Sequence, residues 1–260
     1  MTLKEEFLKS CFVVDTETTS DDYKTCEIIE SGFAIRNETT NKDWIMYQEL
    51  HKPTDGLISP KVQSICYIVN EMVADKLPFV ENKQSFQHIV DAYKDGYVVA
   101  HNYFYDMKVL QRHGIELPKK SICTWRIAKK IFQSMPEIQE TNLPYLRFAL
   151  NLDVPLELLC HRAGNDSYIT AKLLEFFVGM MEEMGIIDQT KPYGPQIEKY
   201  SNSPIIYERM PFGKYKNELM TSIPASYWQW SMKNTQWFDN TADNYDLDLH
   251  LSIEKAIESQ

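Results

Sequence analysis

The chain has 260 residues, 43% hydrophobic and 25% charged, a balance that suits a folded globular protein and argues against both a disordered chain and a membrane-embedded one. Its apolar runs, such as Cys11 to Val14, are far too short to span a bilayer, and the opening MTLKEEFLKS is mixed in charge, unlike a secretory leader. A net charge of −10 runs against the clustered Lys and Arg of most nucleic-acid binders, while five scattered cysteines without a C-x-x-C pair exclude a zinc ribbon or disulfide framework and suit reduced thiols in the cytoplasm.

Three β-rich stretches open the sequence, Cys11 to Thr16, Ile28 to Arg36 and Trp44 to Leu50, separated by polar segments, and they are expected to form an antiparallel meander. Apolar residues at helical spacing follow from Pro60 to Val73 (Val62, Ile65, Ile68, Val69, Met72) and from Ser85 to Tyr93. A short apolar run, Tyr97 to Ala100, leads into a helix through Met107, Val109 and Leu110, and this order of strand, helix and strand suggests an α/β layer fold. From Thr124 to Leu152 the pattern is helical with breaks near Pro136 and Pro144, and a long helix is expected from about Asn165 to Met184. The main body, residues 1–187, ends near Ile187. Residues 188–204, with Pro192, Gly194, Pro195 and Pro204, have linker composition; 205–239 read as a compact aromatic module and 240–260 as a mostly acidic, partly helical tail.

Three short motifs carry chemistry. FVVDTETT places Asp15 and Glu17 two residues apart at the end of an apolar strand, so both carboxylates point to one face. Alone, such a pair more often marks a solvated turn than a site. AHNYFYD puts Asp106 near a strand-to-helix junction, where an acid can serve the positive helix end or, at the carboxyl end of a strand, build an active site. HRAGND sets His161 five residues before Asp166, in the first turn of the long helix, so an imidazole and a carboxylate can approach one point. Alone the motif is better explained by a helix-start acid beside an unrelated surface histidine, and it is the conjunction of the three motifs that favours a site. His101, at the strand end, is better explained by satisfying backbone groups than by catalysis. Lys119, Lys120, Arg126, Lys129, Lys130, Arg147 and Arg162 are the notable basic concentration, either steering phosphates or forming a solvated helix face.

In order and form the three motifs resemble those of the DEDDh 3′–5′ exonucleases of the DnaQ-like, ribonuclease H-like superfamily, including the histidine that sets this branch apart. The resemblance covers about residues 10 to 185 and extends to ISPKVQSICYIVNEMV and TNLPYLRFALNLD. It implies an α/β fold with a mixed five-stranded ribonuclease H-like sheet flanked by helices, and a small C-terminal accessory module. It further implies two divalent ions, Mg²⁺ or Mn²⁺, held by Asp15, Glu17, Asp106 and Asp166, with His161 as general base. Two ions suit phosphodiester hydrolysis because they stabilise both the attacking and the leaving oxygen, and hard cations prefer carboxylate oxygens. Imidazole, titrating near pH 6.5 in its ordinary state, suits proton transfer at neutral pH. Substrate contacts are expected from Thr18, Ile65, Ile68 and Asn102. Two positions depart from the pattern: Cys66-Tyr67 stands where many relatives carry a His-Gly-like pair, and Ser20 where glycine is frequent.

The segment MPFGKYKNELMTSIPASYWQW resembles a module appended to bacterial exonucleases of the exodeoxyribonuclease X type. Its rings, Tyr215, Tyr227, Trp228 and Trp230, could stack bases but are expected for the most part to fill a small core, and Lys214 and Lys216 are candidate strand contacts. The expected activity is removal of nucleoside 5′-monophosphates from 3′ ends of DNA, single-stranded first. The competing expectations are an exoribonuclease using the same residues and a non-catalytic nucleic-acid-binding module. Four clustered carboxylates weigh against the latter, because their mutual repulsion is costly without metal.

Overall fold

The computed structural model describes residues 1–37, 39–40, 43–241 and 246–259. The chain divides into two compact units, one made of Met1–Trp125 with Glu140–Asn202, the other of Arg126–Gln139 with the chain from Ser203 onward.

The first unit opens with helix α1 (Leu3–Lys9), started by a capping box in which Thr2 and Glu5 satisfy each other's backbone N–H. The five strands are β1 (Cys11–Thr18), β2 (Ile28–Arg36), β3 (Trp44–Leu50), β4 (Tyr97–Ala100) and β5 (Lys120–Cys123), in the order β3-β2-β1-β4-β5. Pairing is antiparallel across β3-β2-β1 and parallel across β1-β4-β5, so the expected meander is one half of a mixed sheet. Across β1 and β2 the register sets Asp15 opposite Gly32 and Glu17 opposite Glu30.

Between β3 and β4 run α2 (Pro60–Cys66), α3 (Asn70–Val73) and α4 (Phe79–Asp91), and α5 (Tyr103–Arg112) follows β4. The helical pattern from Pro60 to Val73 is thus split, because Tyr67 takes a left-handed φ of 57° as the cap of α2. After β5 come α6 (Thr124–Phe132), α7 (Leu143–Ala149) and the long α8 (Ala163–Glu183). Phe12, Val14, Ile28 and Phe33 of the sheet join Phe79, Phe86, Val90, Val109 and Leu110 in one core, and α8 packs across β1, β2 and β3. Each such fully buried side chain contributes about 1.5–3 kcal/mol relative to exposure, which holds the polar end of β1 in a fixed frame.

The segment expected as a linker carries helix α9 (Tyr193–Asn202), which packs on β5. Pro195 lies in its first turn, where the missing N–H costs nothing, and the Tyr97 ring fills the space that a side chain on Gly194 would need. In the second unit, α10 (Ala225–Asn234) and α11 (Leu247–Glu258) enclose a core of Met210, Met220, Ile223, Trp228, Leu249 and Ile253. The tail read as acidic is therefore mostly helix, and its apolar stripe belongs to this core. Among the described residues no helix is long and apolar enough to cross a membrane.

Candidate active site

Strand alternation sends Phe12 and Val14 into the core beneath α4 and α5 and leaves Asp15 and Glu17, both half-buried, on the side covered by α8. Asp106 arrives from the first turn of α5 and is buried. Its Oδ1 accepts the Thr16 backbone N–H at 2.9 Å and the Thr16 hydroxyl at 2.8 Å, which ties it to β1 between the two acids. Asp166, also buried, comes from the first turn of α8, and its Oδ2 accepts the His161 backbone N–H at 2.8 Å. His161 is exposed and takes a left-handed φ of 64°. Ligand atoms of Glu17, His161 and Asp166 all lie within 4.8 Å of one another. All five expected catalytic residues therefore converge, from β1, α5 and the start of α8.

Two features bring α8 so close. Gly32 presents no side chain where a Cβ would lie 2.1 Å from the Ala163 carbonyl carbon and 2.2 Å from the Gly164 nitrogen. Glu30, fully buried on β2, supplies the cap that α8 lacks locally: its carboxylate accepts the Ala163 N–H at 2.8 Å and two N–H groups of Arg162. Nothing in the motifs singled out Glu30. The available signal is a lone acid inside the apolar run IIESGFAI.

The electrostatics of the cluster are unfavourable for bare carboxylates. Burial, and then the neighbouring charges of Asp106, Asp166, Glu17 and Glu30, push Asp15 well above the usual carboxylate range. Glu17 is pushed up to about 8 by burial and by Asp166, Glu30 and Asp106, with Arg162 opposing. Burial raises Asp106 to about 7 against the hydrogen bonds from Thr16, and Asp166 to about 7 against the His161 N–H. Asp166 Oδ1 is buried without a hydrogen-bond partner. An orphaned carboxylate oxygen facing three further acids is a donor set suited to hard divalent cations.

The remaining expected residues fare differently. His101 is structural: its Nε2 meets the Thr141 carbonyl at 2.9 Å and its Nδ1 the Thr124 hydroxyl at 3.0 Å, and burial lowers it to about 4, so it stays neutral. Thr18 holds the loop after β1, its hydroxyl bonded to the Ser20 carbonyl and to Tyr105. Asn102 is exposed at the start of α5 with φ 68°. Ile65 is 45% exposed and free to touch a ligand, whereas Ile68 is 0% exposed, inside a core with Ile29, Ile58 and Val73. Ile68 is thus corrected from a contact residue to a core residue, because the left-handed turn at Tyr67 rotates it inward. The basic concentration is largely consumed internally: Arg147 is buried on the Pro155 and Leu158 carbonyls, Arg162 pairs with Glu30, Arg126 with Asp248, and Lys130 bonds to Ser203.

A mixed five-stranded sheet that gathers four acids and a histidine at the carboxyl end of its central strand defines a nuclease of the ribonuclease H-like class. The chain belongs to the family described as "Exonuclease" (RNase_T), whose model matches residues 12–174. A second, shorter match, over residues 198–241, is to a quorum-sensing-regulated virulence factor family. Exodeoxyribonuclease 10 of Escherichia coli (strain K12) is 29% identical over 206 residues, 79% of this chain and 82% of that protein. The PolC-type DNA polymerase III of Thermotoga maritima is 30% identical over 183 residues, 67% of this chain and 12% of its own length. Among solved structures, exonuclease X in complex with 5′ overhanging duplex DNA superposes with a TM-score of 0.53 at 27% identity, covering 74% of this chain and 99% of that one.

Proposed function

We propose that the protein is a metal-dependent 3′–5′ exonuclease that removes nucleoside 5′-monophosphates from the 3′ ends of DNA, single-stranded by preference. The observation that carries the reading is the convergence of Asp15, Glu17, Asp106 and Asp166, half-buried or buried, beside exposed His161. DNA is favoured over RNA because the relative matched over most of both chains is an exodeoxyribonuclease. We read the protein as cytoplasmic, in keeping with its five free thiols.

Asp15, Glu17, Asp106 and Asp166 would hold two divalent ions, Mg²⁺ or Mn²⁺. When bound, these ions supply positive charge to both faces of an in-line phosphoryl displacement. The chain's own residues do the rest. Exposed His161, beside Glu17 and Asp166, takes a proton from the attacking water. Oxygen from that water bonds to the terminal phosphorus, and the bond from phosphorus to the penultimate O3′ breaks. The leaving O3′ gains a proton from solvent, giving a nucleoside 5′-monophosphate and a strand shorter by one residue. Exposed Ile65 offers an apolar contact to the terminal base.

The test is incubation of purified protein with 3′-labelled DNA and RNA oligonucleotides and Mg²⁺. Mononucleotides released from DNA, lost with EDTA and with Asp15→Asn, are expected. No release from either polymer would overturn the reading, and release from RNA alone would overturn the DNA assignment.

A further inference from the structure

The second unit carries a charge pattern and an exposed ring, Trp230, that its core does not explain, although Tyr215 and Tyr227 pack against that core. Between Arg209 and Phe238 the sequence has four cations, Arg209, Lys214, Lys216 and Lys233, against the single acid Glu218, in a chain of net charge −10. Residues 209 and 219 pair across an antiparallel bridge, with Met210 N–H bonded to the Glu218 carbonyl and Asn217 N–H to the Met210 carbonyl, so the intervening segment is a tight hairpin. Gly213, at φ 74°, makes the turn, and the tip presents exposed Lys214 and Lys216 on either side of Tyr215. The Lys214 ammonium lies 5.0 Å over the Tyr215 ring.

From the tip the rings continue onto α10. Tyr215 meets Tyr227 edge to face at 4.7 Å, and Tyr227 stacks on Trp230 at 5.7 Å with only 24° between planes. Trp228 fills the core, so it accounts for the hydrophobic role of this helix. Trp230 does not: it is 51% exposed, at the outer end of the row, and α10 bears Lys233 one turn further on and no acid. A row of rings ending in a half-exposed indole, with Lys214, Lys216 and Lys233 nearby in the chain, has the composition that binds unpaired strands, in which bases stack on rings and phosphates meet ammonium groups.

We infer that the 209–219 hairpin and α10 form a second nucleic-acid-binding surface, specific for an unpaired strand, with Trp230 stacking a base and Lys214, Lys216 and Lys233 meeting phosphates. The inference rests on the nuclease reading for its choice of ligand, but its evidence lies in the second unit alone.

The experiment is fluorescence anisotropy with the full-length protein in EDTA and a labelled oligothymidylate of about 20 nucleotides, where no hydrolysis occurs. Trp230→Ala is expected to weaken binding about tenfold and Trp230→Phe to restore most of it. Lys214→Ala/Lys216→Ala should reduce the salt slope by about 1.4, at about 0.7 per phosphate lost. Binding to a blunt duplex of equal length should be weaker and insensitive to Trp230. Unchanged affinity in both variants, each with a wild-type thermal transition, or equal loss of duplex binding, would overturn the inference. The nuclease reading fails separately, by absence of mononucleotides from wild-type protein with Mg²⁺.

Discussion

His161 holds a left-handed backbone, φ 64°, that a branched or bulky residue adopts only at a cost of about 1–2 kcal/mol. The conformation is held by its own N–H, which donates to the Asp166 carboxylate at 2.8 Å and so aims the imidazole at the acids. Asparagine tolerates the same backbone, so His161→Asn separates chemistry from folding. It is expected to leave the thermal transition within a few degrees and to lower kcat by about 10²–10⁴, the usual contribution of a general base. A rate within threefold of wild type would remove His161 from the mechanism. Glu30 tests a different property. It is fully buried and holds both Arg162 and the first N–H of α8, so Glu30→Gln leaves a guanidinium half-matched beside the site. Breaking such a pair from one side costs about 3–5 kcal/mol, while replacing both partners with apolar residues costs less. Urea unfolding of Glu30→Met, Arg162→Met and Glu30→Met/Arg162→Met should therefore show the double variant more stable than the sum of the single losses predicts.

Helix α8 is the element that assembles the site, and its approach to the sheet depends on glycine. Gly32→Ala would place a Cβ about 2 Å from backbone atoms of Ala163 and Gly164, which cannot rotate away as a side chain would. Overpacking of this kind costs about 1–3 kcal/mol, and because the displaced atoms carry His161 and Asp166, the loss of rate should exceed the loss of stability. Gly179, in the same helix with nothing within 4 Å of an added Cβ, is the control: Gly179→Ala should stabilise by about 0.5–1 kcal/mol and leave the rate unchanged. Thermal unfolding and initial rates of the two variants check both statements, and an active, stable Gly32→Ala would disprove the close-approach argument. These elements also show where sequence patterns inform. Asp15, Glu17, Asp106, His161 and Asp166 were legible because each sits on a short motif whose local structure, strand end or helix start, is set within a few residues. Glu30 and Gly32 were not, since their roles exist only once β2 lies against α8. The helix at 193–202 was hidden because Gly194 and Pro195 read as linker residues, although the glycine makes room for the Tyr97 ring and the proline occupies a permitted first-turn position. Leu249, Ile253 and Ala256 recur at helical spacing, yet the acids around them masked the stripe, and the Asp248 partner, Arg126, lies 122 residues away. Ile68 misled because a continuous helix would set it beside Ile65, and the turn at Tyr67 breaks that continuity.

For the whole molecule, the four acids couple stability to pH and to metal. In the unfolded chain they titrate near 4; in the folded protein Glu17 is raised to about 8, Asp106 and Asp166 to about 7, and Asp15 in the same direction. Between those limits the folded state binds more protons than the unfolded one, so metal-free stability falls as pH rises through 4 to 8. Buried histidines oppose this at lower pH. His51 and His101, both lowered to about 4 by burial, contribute stability that is present above about 6.5 and lost as pH falls toward 4. The carboxylate effect is therefore isolated by working from pH 6.5 upward, where the histidine contribution is constant. Divalent cations need the ionised carboxylates and compete with protons for them, so their stabilisation must grow as pH rises. In EDTA the melting temperature should fall between pH 6.5 and 8.5, each kcal/mol lost being worth about 2–4 °C for a chain of this size. Added Mg²⁺ or Mn²⁺ should raise it at both values and by more at pH 8.5. Asp15→Asn, which removes one of the repelling charges, should flatten the metal-free dependence and shrink the metal increment together. A metal increment equal at the two pH values, or a metal-free melting temperature that climbs above pH 6.5, would show that the carboxylates are not the linked groups.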